Sequence, residues 1–418
     1  MPASFDAPQD TSRKKTRDRI ADAMIQIVSR NGTAGASVRR ITKAAGCNES
    51  VLYDHFENKA VMQRTVFGEI ADRQEAMYAS VVARNQGGSA RDLVRDWTRT
   101  TLESFDQDPD TFAFICLISP SVIADDQKRV RDVFDRMRSN LTRFETRPDE
   151  QVDASPVAFA IAHKILLGAA IEIHAGSKEG PSAPLVQELA EILISILVRR
   201  TGDPPVVTKP EPPIGAGPRR GMHGPNFMRE DSTRARLMAA TTRIVAEQGV
   251  EAATVRAISS LAKCHDTDLY SKFRNKQSLL HTVHGEILDH WYALRSTFGE
   301  ANRQDAKAFV EHWAKAALLS FDREPETFAY VLLTYPPVTE DLLDSHAFNI
   351  ANGIQLFSGL TPPPGHRVDL SPQNYLAFRS AMIAIPRAIN AGLVAGPAVR
   401  HTESLQRVAC RILIRPLD

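Results

Sequence analysis

Tyr53 and Tyr270 stand in the same local frame, each followed by a phenylalanine at the third residue (Phe56, Phe273) and a lysine at the sixth (Lys59, Lys276). Each tyrosine projects one turn before the apolar phenylalanine, with Leu52, Tyr53 and Phe56 on one helix face, so its hydroxyl can reach a phosphate from the edge of a groove. The lysine opens a new helix behind Asn58 or Asn275, at an end whose free N–H groups and dipole already favour an anion. Arg39 and Arg40, with Arg256, flank a second short helix, and His55 and Lys272 share one slot. Together these groups have the chemistry of a grip on a polyanionic backbone, which orients a protein without reading sequence. Reading would fall to Asn48, Glu49, Ser50 and Val51 in one set and to His265, Asp266, Thr267 and Asp268 in the other. An acid there accepts from cytosine N4 but repels phosphate. The sets differ at every position, which predicts an asymmetric rather than palindromic target.

The elements that carry these residues occur twice. Residues 32–70 align on 249–287 without a gap at an offset of 217, with 17 identities over 39 positions. The match resumes at an offset of 216, where WTRTTLESFDQDPDTFAF from Trp97 answers WAKAALLSFDREPETFAY from Trp313. A unit of roughly 200 residues is therefore duplicated, far longer than the roughly 20–50 residues of a solenoid repeat. In each copy an apolar helical stripe (Ile20, Ala23, Met24, Ile27, Val28; then Leu237, Ala240, Ile244, Val245) ends at Gly32 or Gly249. Ser37 and Thr254 are placed to cap the next helix, and Gly46 breaks it, with Lys263 in that turn of the second copy. Two short helices across a tight turn, backed by an apolar first helix, form a helix-turn-helix.

Beyond each head the periodicity stays helical, with long apolar helices expected over 156–175, 185–198, 375–391 and 405–414. Pro386 is expected to kink the third of these. The sequence divides into a head at 11–65, a helical body at 66–200, a Pro/Gly-rich tether at 201–227, a second head at 228–282 and a second body at 283–418. At ~3 Å per residue the tether could span on the order of 70–80 Å, against ~34 Å between adjacent major grooves.

The 418 residues carry a net charge of +1, distributed unevenly. Residues 13–64 hold eleven Lys/Arg against five Asp/Glu, and 229–276 nine against six, so the remainder is at −8. Basic heads on an acidic body suggest local contact with a polyanion. The four cysteines imply no disulfide framework, and Cys47 and Cys264, sharing one slot, read as small core residues. The first residues contain no apolar run of signal-peptide length and no segment reaches 18 uncharged apolar residues, so a cytoplasmic protein is expected. His281 and His284 have a metal-like spacing but no third ligand nearby, and Gly176-Ser177-Lys178 lacks the glycines of a phosphate loop, so no metal or cofactor is expected. With no nucleophile elbow or paired catalytic carboxylates in frame, no enzyme is expected either.

ITKAAGCNESVLYDHFENKAVM (41–62) resembles the N-terminal signature of the TetR family of transcriptional regulators, and ISSLAKCHDTDLYSKFRNKQSLL (258–280) is a looser version. The resemblance implies an all-α regulator of double-stranded DNA, two TetR-like units in tandem, each a helix-turn-helix head with a ligand-binding and dimerising body. It further implies pairing through the last two long helices, which in a duplicated chain can join its own halves into a pseudo-dimer; pairing between chains stays open. Similar duplicated repressors of lipid-uptake operons point to a lipid-related regulon. A small hydrophobic effector would meet Trp97, Phe105, Phe112, Phe114, Cys116 and His163 in the first body and Trp313, Phe321, Phe328, Tyr330 and Tyr335 in the second. The rivals are a regulator with only the first head active on DNA, and a ligand-binding or interaction protein that has lost DNA.

Overall fold

Ile20, Met24 and Val28 are completely buried and hold the first helix of the chain against the two short helices that follow. This computed structural model describes residues 9–116, 127–174, 180–201, 224–299, 303–334 and 350–417. The first unit contains α1 (Gln9–Gly35), α2 (Val38–Ala45), α3 (Glu49–His55), α4 (Lys59–Asn85), α5 (Ala90–Gln107), α6 (109–116), α7 (Gln127–Thr142), α8 (Pro156–His174) and α9 (Val186–Leu197). The second repeats the order as α10 (Thr233–Gln248), α11 (Val255–Leu261), α12 (Asp266–Lys272), α13 (Lys276–Gly299), α14 (Ala306–Arg323), α15 (Pro325–Thr334), α16 (350–357), α17 (Pro372–Asn390) and α18 (Thr402–Leu413). The fold is all-α, and two such units lie in tandem.

The glycine stops act as anticipated. Gly32 has φ +67° and breaks the helical geometry inside α1, and Gly249 has φ +83° after α10. Helices α4 and α13 each begin in a head and continue into a body, so each head is continuous with the helical layer behind it. The tether folds at its end: Phe227, its one aromatic residue, is buried against α10, and 224–227 thus belong with the second head. Residues 202–223, Gly176-Ser177-Lys178 and Tyr335 lie outside the described residues.

Two features of the bodies went unanticipated. The pairs β1 (Glu150–Val152) with β2 (Val198–Arg200), and β3 (His366–Val368) with β4 (Ile414–Pro416), are antiparallel and tie the loop before α8 or α17 to the end of α9 or α18. Asp153 N–H donates to Leu197 O at 2.6 Å and Asp369 N–H to Leu413 O at 2.8 Å, extending each pair by a residue. A carboxylate clamp also repeats. Asp106 accepts from the N–H groups of Ser182 (2.8 Å) and Ala183 (3.0 Å), and Asp322 from those of Ala398 (2.8 Å) and Val399 (2.9 Å). Each clamp satisfies backbone donors at the entry to the last helix.

The units meet along those last helices. Helix α8 packs on α17, α9 on α18, and α17 on α9, forming a four-helix bundle within one chain. At the α8–α17 crossing a Cβ on Gly168 would lie 2.2 Å from Ser380 Oγ, so the helices approach as closely as glycine allows. Helix α8 is long and apolar enough to cross a membrane, but 67% of that stretch is buried inside the protein. Helix α17 runs through Pro386, which is itself buried.

Candidate nucleic-acid interface

The head is built from its caps inward. Ser37 Oγ accepts from Arg40 N–H at 3.3 Å, and Thr254 Oγ1 from Ala257 N–H at 3.1 Å, starting α2 and α11. Asn58 Oδ1 accepts from Val61 N–H at 2.9 Å, and Asn275 Oδ1 from Ser278 N–H at 2.7 Å, starting α4 and α13. Ile41, Leu52 and Phe56 in one head, and Ile258, Leu269 and Phe273 in the other, are buried beneath the short helices. The turn between them takes φ +65° at Gly46 and +54° at Lys263. A lysine held in that conformation is strained by about 1 kcal/mol or more. Lys263→Gly should therefore stabilise the second head by about 1 kcal/mol in denaturant titrations, an effect partly offset by the freer unfolded chain. No gain would mean the turn relaxes around lysine.

A clasp missed in the sequence reading repeats in both heads. The Arg17 guanidinium lies 5.3 Å from the Phe56 ring centre and pairs with Glu69, while Arg234 lies 5.6 Å from the Phe273 ring and 2.8 Å from Glu286 Oε1. The arginine thus joins the end of the recognition helix to the helix behind it. The available signal was TRDR at 16–19 against TRAR at 233–236, in the same 217 register upstream of the aligned block.

Outside this frame, Tyr53 and Tyr270 are 52% and 57% exposed, an unusual setting for large aromatic side chains. Arg39 and Arg256 are exposed, with no side-chain partner among the described residues. Asn48, Glu49 and Ser50 are exposed, as are His265, Asp266 and Thr267, and the Asn48 side chain makes no cap bond. Lys272 is exposed, whereas His55 and Lys276 are half-buried.

Four assignments change. Val51 is half-buried against the core, and in the matching slot Asp268 Oδ2 accepts from His265 N–H at 2.8 Å as a cap of α12. That slot is structural in both copies, which leaves three outward positions in each head. Arg40 donates to Gly35 O at 2.8 Å and Asn31 Oδ1 at 2.9 Å, holding the connection from α1 to α2. Lys59 Nζ donates to Thr33 O at 3.2 Å, so it braces the head as well as standing at a helix start. Cys47 and Cys264 are half-buried against the core, and burial with the Asp268 carboxylate pushes the Cys264 thiol above its ordinary pKa.

The family model described as bacterial regulatory proteins, tetR family, matches the chain twice, over residues 20–64 and 237–283. Both heads are tetR-family domains. Each match falls on one of the two heads and spans its helix-turn-helix. Among solved structures, a TetR family transcription regulator from Marinobacter aquaeolei VT8 is 17% identical, with a TM-score of 0.36, covering 46% of this chain and 99% of its own. The fatty acid degradation regulator FadR from Bacillus halodurans is 16% identical, with a TM-score of 0.34, covering 42% and 97%. FadR from Bacillus subtilis, solved with stearoyl-CoA, is 14% identical, with a TM-score of 0.34, covering 43% and 97%.

The aromatic residues expected to line an effector pocket in the bodies behind these tetR-family heads lie mostly in packed core. Trp97 stacks on Phe159 at 6.0 Å and meets Tyr78 edge-on at 5.7 Å, and the space it helps to line is about 10 Å³. Phe105 and Phe112 meet edge-on at 5.4 Å, and Phe114 is wholly buried. In the second body Trp313 packs on Phe309 and Phe357, Phe321 on Phe328, and Phe328 on Trp291. The Tyr330 hydroxyl donates to Leu280 O at 2.8 Å. Such residues are indistinguishable from pocket residues in sequence because both are apolar and helical. His281 and His284 go to other partners, Gln277 Nε2 at 3.0 Å and Thr334 Oγ1 at 2.8 Å.

Cys116 and His163 have a different setting, at the seam between the units. Arg387 donates to Cys116 O at 3.4 Å, and His163 Nε2 is buried without a hydrogen-bond partner among the described residues. Burial, then the Arg387 and Lys164 charges, push His163 down to about 4 from 6.5. The folded protein keeps this ring neutral while the unfolded chain protonates near 6.5, so stability should fall as pH drops from about 6.5 to 4. His163→Gln should flatten the melting temperature across that window, and an unaltered acid dependence would assign the effect elsewhere.

Proposed function

We propose that the chain is a ligand-responsive transcriptional repressor that acts in the cytoplasm and reads one asymmetric operator with both heads of a single polypeptide. The observation that carries this reading is the bundle of α8, α9, α17 and α18, which engages in cis the helices otherwise available for pairing with a second chain. The exposed triplets Asn48-Glu49-Ser50 and His265-Asp266-Thr267 support two dissimilar half-sites. Arg39 with Tyr53, and Arg256 with Tyr270 and Lys272, are the phosphate-gripping groups on this reading, which treats 11–65 and 228–282 as the DNA-binding domains. The tether at 201–227 then gives the second head its reach. Arg40 and Lys59 serve the grip indirectly, by holding the first head in shape.

A second reading, in which only the first head engages DNA, is favoured by the strained turn at Lys263 and by Asp266 facing outward. Selection of binding sites from random duplexes by the full chain separates the two. The proposal expects two unlike half-sites in one footprint. A perfect inverted repeat would overturn it in favour of chains that pair and read with their first heads.

A further inference from the structure

A cavity of about 650 Å³ lies at the seam, between the start of α8 and the end of α9 in the first unit and α18 in the second. Its size is that of a small-molecule site. One wall is apolar, with Val157, Ile161, Ile196 and Val408, and Arg199, Arg407 and Arg411 supply the charge. The one carboxylate among the described lining residues, Asp153, is already paired with Arg199. Arg411 reaches across the seam to donate to Ser195 O. Arg407 is exposed, with no partner among the described residues. His401 is 7% exposed, and its Nδ1 has no hydrogen-bond partner among the described residues although Nε2 contacts Ala395 O at 2.8 Å.

The duplication provides an internal control. At the 216 offset, Ser404, Arg407 and Arg411 correspond to Glu188, Glu191 and Ser195, and Arg199 to Arg415. On that side Glu188 Oε1 lies 3.4 Å from Ser371 Oγ, Glu191 pairs with Arg95 at 2.9 Å, and Arg415 stands in the field of Asp369, Glu188 and Glu191. Carboxylates therefore face that cation, although burial outweighs them and holds the Arg415 pKa below its ordinary value. A structural requirement of the bundle would leave the same charges on both sides, yet one side is acidic and the other sets arginines over an apolar floor.

We propose that the seam cavity binds an amphipathic carboxylate, its acid group held by Arg407 and Arg411 and its hydrocarbon laid along Val157, Ile161, Ile196 and Val408. Paired guanidinium donors match a carboxylate's two oxygens. Because both units contribute walls, occupancy favours one arrangement of the units over others, which is how a ligand there is coupled to the heads. This deepens the proposed ligand response and rests on it for its regulatory meaning, though not for binding itself.

Calorimetry on the full chain tests it, with dodecanoate as the probe and dodecanol as its uncharged counterpart. Wild type should take up one dodecanoate per chain and bind dodecanol at least tenfold more weakly. Arg407→Ala/Arg411→Ala should lose at least tenfold in dodecanoate affinity, and Ser404→Trp, which fills the cavity, should abolish uptake. Arg407→Ala alone, which leaves the Arg411–Ser195 bond across the seam intact, should lose dodecanoate affinity while keeping wild-type melting and wild-type operator affinity in the absence of dodecanoate. Failure of wild type to bind dodecanoate, equal affinity for dodecanol, or undiminished affinity in both variants would each overturn the site. If arginine-dependent uptake occurs but leaves operator affinity unchanged, the site stands and the ligand-responsive reading falls.

Discussion

Replacing Arg39 and Tyr53 together by alanine should lower operator affinity on the order of a hundredfold. Hydrogen bonds to a charged partner contribute about 1.5–3 kcal/mol each, and two such losses in one head amount to roughly 3 kcal/mol if they overlap in part. Both side chains face solvent, so their removal should change folding stability by no more than about 0.5 kcal/mol. Losing the arginine should also make the salt dependence of binding shallower by about 0.9 in log–log slope. Arg256→Ala/Tyr270→Ala should weaken the same operator through the second head, by less because Lys272 remains to grip phosphate and the outward acid Asp266 already weakens that head's field. Fluorescence anisotropy over a range of salt reads both quantities. An unweakened operator in the second-head variant would make that head a scaffold. An unchanged slope in the first-head variant would remove Arg39 from the phosphate grip.

Gly168→Leu should separate the two halves of the chain. A methyl-sized Cβ at that position would already come within 2.2 Å of Ser380 Oγ and 3.3 Å of Ser380 Cβ, and leucine adds three more carbons at the tightest point of the α8–α17 crossing. Ser380 can turn its hydroxyl aside but cannot move its Cβ without moving α17, so the strain falls on the bundle. Overpacking of this kind costs about 1–3 kcal/mol and occasionally more. The heads lie outside the crossing and keep their own cores, so they should stay folded and still bind DNA non-specifically. Loss of paired reading should then appear as weakened operator binding, with a larger hydrodynamic radius and a lower melting temperature. Ser380→Gly in the same chain should restore part of the loss by clearing the nearest contact. A Gly168→Leu chain with wild-type melting and operator affinity would mean that the crossing tolerates more volume than its geometry suggests.

Much of the fold was legible because its signals are local. Helix starts at Ser37, Thr254, Asn58 and Asn275 depend on a side-chain oxygen three residues from the N–H it meets, and helices α8, α9, α17 and α18 lie close to the ranges expected from apolar periodicity. The positive φ at Lys263 follows from its alignment with Gly46. What stayed hidden depends on distant pairs. The strand pairs are three residues long and too short to show alternation, and Asp106 meets Ser182 across 76 positions. Arg40 and Lys59 have the composition of phosphate ligands, and only the folded head reveals that they also tie down Gly35 and Thr33. The seam cavity draws its walls from both units, so neither copy alone contains it.

The central claim is that one chain does what two chains do in a symmetric dimer. Native mass spectrometry of the full chain on its selected operator tests this most directly, by counting chains per duplex under conditions where both head regions are protected from cleavage. The account predicts one chain on one duplex with both half-sites covered. Two chains on that duplex, or a single chain that protects only one half-site, would contradict it.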